Sequence, residues 1–142
     1  MSARSSSRAA PPQRPGPALA AAVIGIVVGA QILIGSITQL RYAIDNGIAW
    51  LLLVIAPIGA LWLVGGIRML GGRRTILLIG SAAWLALMAA FVVWGWYNAR
   101  SDSGQTLSLQ SVLIPAIVFA AVPAIVLRLA YRPTVTRWID ER

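Results

Sequence analysis

The side chains that could act as acids, bases or metal ligands are few and scattered. The 142-residue chain has four acidic residues and no His or Cys, which excludes disulfides, thiolate nucleophiles, imidazole catalysis and nearly all zinc and haem sites. Asp45 lies one helical turn from Arg41, Asp140 and Glu141 stand among arginines at the C-terminal end, and Asp102 lies in a Ser/Gly segment. General acid–base chemistry needs such groups held at a site. We therefore predict no catalytic residue, no metal site, no cofactor and no enzymatic activity.

The composition excludes a water-soluble globule. Hydrophobic residues make up 58% of the chain and charged residues 11%, whereas soluble domains carry roughly 25% charged residues. A chain with so few charges cannot cover a surface with groups that water solvates. We therefore predict that the chain lies in a lipid bilayer.

Four apolar stretches are each long enough to cross a bilayer. At 1.5 Å per residue each forms a helix of about 28–35 Å, close to the roughly 30 Å hydrocarbon core. They lack the alternation of a barrel strand, so their backbones must be helical in lipid. We predict an all-α, integral membrane four-helix bundle, antiparallel and up-down because most connections are short. The predicted spans are 18–40, 48–67, 75–97 and 112–130.

The flanking segments differ from the spans. Residues 1–17 are rich in Ser, Pro and Arg without periodicity, which predicts a disordered cytoplasmic tail. Residues 18–130 form the four-helix domain, and residues 131–142 are predicted to be a second cytoplasmic tail.

The positive charges indicate orientation. Ten of the twelve arginines lie on one side of the predicted spans, and positive residues stay in the cytoplasm. Both termini are therefore predicted to be cytoplasmic, and nucleic acid is not a predicted partner of the +8 chain. Five of these arginines would lie at the level of anionic lipid headgroups: Arg68, Arg73, Arg74, Arg128 and Arg132.

Small residues form stripes that allow helices to approach closely. The first span carries Gly25, Gly29 and Ser36 on one face. These stripes either close the bundle of this chain or bind a second copy or another membrane protein, and the sequence alone leaves both open. The other stripes are Ala82, Ala86, Ala90 in the third span and Ala116, Ala120, Ala124 in the fourth.

Gln31 is the most informative polar residue, because it lies about 14 Å from the outer end of its span. An amide at that depth needs partners, and Trp84 or Ser81 of the third span is at a suitable depth. We predict an interhelical hydrogen bond from Gln31 to one of them. The alternative is a polar cavity lined by Gln31, Ser36, Thr38 and Gln39.

Features typical of transporters are sparse. Pro57 and Pro123 lie inside spans but between apolar neighbours, so we predict no cluster of polar groups at either proline. The spans contain no ionisable residue between their ends, and proton- or sodium-coupled transport depends on such groups.

Two short motifs accompany the four-span layout. A Gly-Gly-Arg-Arg motif at 71–74 precedes the third span, and Tyr-Arg-Pro at 131–133 with Arg137-Trp138 follows the fourth. In these motifs and in its Arg-only basic residues, the chain resembles the uncharacterised small four-span membrane proteins of high-GC bacteria. The resemblance implies location in the bacterial cytoplasmic (inner) membrane and implies no activity.

These observations favour a non-catalytic membrane protein that acts through helix–helix contacts as an accessory, assembly or scaffolding subunit. Its partners would be a second copy or another membrane protein. The alternative is a small channel or carrier for a neutral or lipidic solute. A third possibility, an enzyme acting on lipid, would require Asp45 or Asp102.

Overall fold

The computed structural model describes residues 13, 15–101 and 109–141, and every regular element in these residues is a helix. In chain order the helices are α1 (Gly16–Thr38), α2 (Leu40–Asp45), α3 (Ala49–Leu70), α4 (Thr75–Ser101), α5 (Leu109–Ala130) and α6 (Pro133–Asp140).

Four of the helices are long and apolar enough to cross a membrane. The qualifying segments are Gly16–Thr38, Ala49–Leu70, Thr75–Tyr97 and Leu113–Ala130, close to the predicted spans. The prediction of an all-helical chain with four membrane-length helices is confirmed. These helices indicate a multi-pass membrane protein.

Glycines bring α1 and α3 into backbone contact. A Cβ atom added to Gly29 would lie 2.7 Å from Gly59 O and 2.8 Å from Leu63 Cα, and one added to Gly25 would lie 3.1 Å from Gly66 Cα. Distances under 3.0 Å do not occur at real Cβ atoms without a shift of the neighbour. The α1–α3 contact therefore depends on glycine at these positions.

Helix α3 packs between α1 and α4. Gly65, adjacent to the glycine that faces α1, lies against α4: a Cβ atom there would be 2.7 Å from Leu77 Cα. On α4, Gly80 in turn faces Trp62 of α3. Helix α5 packs on α4 and, less extensively, on α1.

The C-terminal segment differs from the predicted tail. Residues 133–140 form α6, whose Val135 and Trp138 are buried. The polar side of α6 also contacts the bundle, because Arg74 Nη1 donates a hydrogen bond to Thr136 Oγ1 at 3.0 Å. Both buried side chains belong to one hydrophobic core with Ala18, Ala21, Ala22, Ile58, Trp62, Met69, Leu77, Val126 and Ala130.

The connections depart from the predicted boundaries in two places. The first membrane-length helix ends at Thr38, and the short helix α2 follows it. The turn after α2 contains Gly47 with φ of +68°, a conformation that glycine adopts without strain. Helices α4 and α5 extend into residues 98–111, between the third and fourth predicted spans, and residues 102–108 lie outside the described part. The predicted disordered tail lies almost entirely outside it too.

Candidate functional site

A partly open groove of about 300 Å³ lies between α1 and α5. Helices α1 and α5 pack on each other less extensively than do the pairs α1–α3, α3–α4 and α4–α5. One tryptophan from α3 and one from α4 reach it, so all four long helices contribute to its walls. The lining residues are Val28, Gln31, Ile32, Trp62, Trp84, Phe119, Val122 and Pro123.

A proline leaves a backbone acceptor open on the α5 wall of this groove. Pro123 has no N–H, so the carbonyl of Phe119, four residues earlier, lacks its helical donor. The indole Nε1 of Trp84 donates a hydrogen bond to that carbonyl oxygen at 3.0 Å. Helix α4 therefore supplies the donor that α5 cannot, a contact that the apolar sequence neighbours of Pro123 did not indicate.

The Gln31 amide has a different environment from the one predicted. Trp84 donates its single side-chain N–H to Phe119 O. The Ser81 hydroxyl donates to Leu77 O, in its own helix, at 2.8 Å. No hydrogen bond joins the Gln31 side chain to any described residue. Gln31 is exposed and shares the groove with Trp84, so its amide is left open to whatever occupies that groove.

Trp62, another lining residue of the groove, carries a second polar group without a partner among the described residues. Its side chain is 1% exposed, and its Nε1 is buried without a hydrogen-bond partner among the described residues. Its Cδ1 atom would lie 3.0 Å from a Cβ atom on Gly80, so the indole edge that carries the N–H faces α4. Leaving such a donor unpaired costs about 1–3 kcal/mol.

The other polar residues of α1 do not join Gln31 in one cavity. The hydroxyl of Ser36 donates to Ile32 O at 2.8 Å, and that of Thr38 donates to Gly35 O at 3.0 Å, so both are satisfied on their own helix. Ser36 and Gln39 line a separate groove of about 350 Å³ between α1, α2 and α3. The two grooves share only the side chain of Ile32.

The small-residue stripes fall into two groups. Gly25 and Gly29 are buried against α3 of the same chain, so a partner subunit would have to use a different surface. We did not predict Gly59 and Gly66, which lie opposite them, although their seven-residue spacing places them on one helix face.

The alanines of α4 and α5 lie outward or in a shallow α4–α5 groove: Ala82, Ala86, Ala90 and Ala124 are exposed, Ala116 is buried and Ala120 half-buried.

The five arginines predicted to lie at the level of lipid headgroups also fall into two groups. Arg68, Arg73 and Arg74 line one cup beside the α3–α4 turn. Arg128 at the end of α5 and Arg132 before α6 are exposed and do not line that cup.

The acidic residues are not gathered into a site in the described chain. Asp45 ends α2 and Asp140 ends α6, and no group of three metal-ligating side chains occurs among the described residues. Asp102 lies outside the described residues.

No family model matches the sequence, and comparison with curated proteins and with solved structures found no significant match.

Proposed function

We propose that this protein is a non-catalytic integral membrane subunit that acts in assembly through helix–helix contacts made at the α1–α5 groove. The observation that carries the proposal is the Gln31 amide, which is exposed in an otherwise apolar groove and has no partner among the described residues. An amide in hydrocarbon is stabilised by a partner from another helix. The described residues of this chain do not provide one.

The proposed membrane arrangement is an antiparallel bundle with both termini in the cytoplasm of a bacterium. Supporting the antiparallel order, Gly25 lies near Gly66 whereas Gly29, further along α1, lies near Gly59. The distribution of arginines supports the orientation. Gln31 lies inside the span Gly16–Thr38, which places it in the hydrocarbon, where water is not available to its amide.

The groove suits the side chains of a further transmembrane helix. Its walls are mainly apolar, and the polar side chains among its lining residues are Gln31 and the two tryptophans. A primary amide both donates and accepts hydrogen bonds, so a second copy of the chain could offer Gln31 itself as the partner. Hydroxyl and amide side chains of another membrane protein have the same capacity.

Replacing Gln31 with Leu is expected to reduce partner recovery about tenfold, because one interhelical hydrogen bond is worth about 1–2 kcal/mol. The chain itself should fold as before, since no described intramolecular bond is removed. The measurement is recovery of partners, and the oligomer mass, after purification in mild detergent.

The matched control is Gln39→Leu, the same chemical change on the same chain in the other groove. It should leave the partners and the oligomer mass unchanged. Equal recovery from Gln31→Leu and wild type would contradict the proposed contact.

A second candidate function is binding or transport of a neutral or lipidic solute. The groove volume of about 300 Å³ and its apolar lining with one open amide favour it, since small-molecule sites combine these features. The chain has no cysteine, so single variants can be labelled without background.

Cysteine labelling distinguishes the two candidates. In the assembly proposal, Gln31→Cys in the native membrane is covered by a helix and resists a membrane-impermeant thiol reagent. Rapid labelling at this position would favour the solute-carrying function instead. Gln39→Cys, at an exposed position beyond α1, is the positive control for reagent access.

A further inference from the structure

A cup of about 440 Å³ lies beside the turn between α3 and α4. It is separate from the α1–α5 groove and shares no lining residue with it. Three arginines line it, together with the first residues of α4 and one residue of α6. The lining residues are Arg68, Gly72, Arg73, Arg74, Thr75, Ile76 and Ile139.

The turn brings two of these arginines to the same rim. Gly72 has φ of +84°, a conformation that favours glycine. This turn lets Arg73 N donate to Arg68 O at 3.0 Å. Residues five positions apart are thereby held side by side, and both side chains are exposed.

The third arginine is held in place by the C-terminal part of the bundle. Arg74 Nη1 donates to Ala130 O at 3.3 Å and to Thr136 Oγ1 at 3.0 Å. Its Cζ atom lies 5.3 Å from the centre of the Tyr131 ring, within range of a cation–π contact. These bonds use one nitrogen of the guanidinium and fix the direction of the whole group, so Arg74 is a preorganised wall of the cup.

The cup is rich in donors and poor in acceptors. No described carboxylate pairs with Arg68 or Arg73, and the first turn of α4 has no acidic residue. The N–H groups of Thr75 and Ile76 have no partner within α4, because the first turn of a helix has no preceding carbonyls. The positive end of the α4 dipole adds to the three charges.

We propose that this cup binds the phosphate of an anionic phospholipid headgroup. Guanidinium forks and helix N-terminal N–H groups match phosphate oxygens. A lipid rather than a free anion fits the position, because Thr75 is the first residue of a membrane-length apolar helix. Ile76 and the half-buried Ile139 also give the cup an apolar side that a glycerol backbone can contact.

Lipid binding to the full-length chain in mild detergent tests this site. Bound phosphatidylglycerol is titrated against a phosphatidylcholine background and counted by native mass spectrometry. Combining Arg68→Gln with Arg73→Gln should weaken phosphatidylglycerol binding about 25-fold, about fivefold for each guanidinium removed. Both side chains are exposed, so helix content by circular dichroism should stay at the wild-type level.

Two comparisons make the result specific to the cup. Combining Arg128→Gln with Arg132→Gln removes the same charge from exposed arginines outside the cup, and binding should change less than twofold. Combining Arg68→Lys with Arg73→Lys keeps the charge but removes the planar forks, so binding should weaken by about fivefold.

Three results would overturn the proposal. Equal weakening by both glutamine pairs would mean that only diffuse surface charge attracts the lipid. Wild-type affinity in the lysine pair would show that guanidinium geometry is irrelevant. Displacement of phosphatidylglycerol by millimolar inorganic phosphate would assign the cup to a free anion instead.

Discussion

Gly29→Leu is expected to lower the free energy of unfolding by about 3 kcal/mol, the upper part of the usual range for overpacking. Its Cβ atom would enter the backbone of α3, between Gly59 O and Leu63 Cα at 2.7 and 2.8 Å. Backbone cannot rotate aside as a flexible side chain can. The two helices must therefore separate, and the packing that holds α1 to α3 is lost along its length.

Gly35→Leu is the matched control for this variant. Gly35 lies on the same helix, yet a Cβ atom there meets nothing within 4 Å. Unfolding in detergent of increasing sodium dodecyl sulfate content gives both free energies. Gly35→Leu should stay within about 0.5 kcal/mol of wild type, and equal losses in the two variants would refute the backbone contact between α1 and α3.

The second large effect concerns the carbonyl that Pro123 leaves open. Trp84→Phe keeps the aromatic ring in the groove wall but removes the N–H that reaches Phe119 O. The carbonyl then has no donor in an environment without water, at a cost of about 1–2 kcal/mol.

A double-mutant cycle isolates this hydrogen bond from the change in packing. Pro123→Ala restores a backbone N–H that can bond to Phe119 O within α5. In that background, Trp84→Phe should cost at least 1 kcal/mol less than in wild type. A cost that does not depend on residue 123 would mean that Trp84 contributes packing alone.

The long helices could be predicted from sequence because lipid imposes a simple rule. A backbone without access to water must be helical, and hydropathy then locates each span to within a few residues. No comparable rule locates helix ends near the membrane surface. Where water can satisfy the backbone, hydropathy does not set the end of a helix, and α4 and α5 extend into the segment between the third and fourth predicted spans.

Helix α6 had a recognisable signal in the sequence. Pro133 is a residue suited to the first position of a helix, and Val135, Trp138 and Ile139 follow with the i, i+3, i+4 spacing of an apolar face. The surrounding charges made the segment look like a solvated tail. Its burial depends on packing against α1 and α5, which local sequence does not reveal.

At the candidate site, the depth of Gln31 within its span identified this residue as unusual. Depth could not show which groups form hydrogen bonds with each other. Trp84, Ser81 and Gln31 lie at similar depths in their spans, so spacing did not rank them as partners. The proline provided the missing information: a residue without an N–H always frees the carbonyl four positions before it. Phe119 O could have been recognised in this way as an acceptor that competes for Trp84.

The hydrogen bond between α4 and α5 also has a consequence for biosynthesis. A ribosome finishes α1 and α3 by residue 70, so their glycine contact can form before the later helices exist. Trp84 is likewise translated before Phe119 and Pro123. When α5 leaves the translocation machinery with one open carbonyl, its donor is already in the membrane, which shortens the time that this polar atom spends unpaired in lipid.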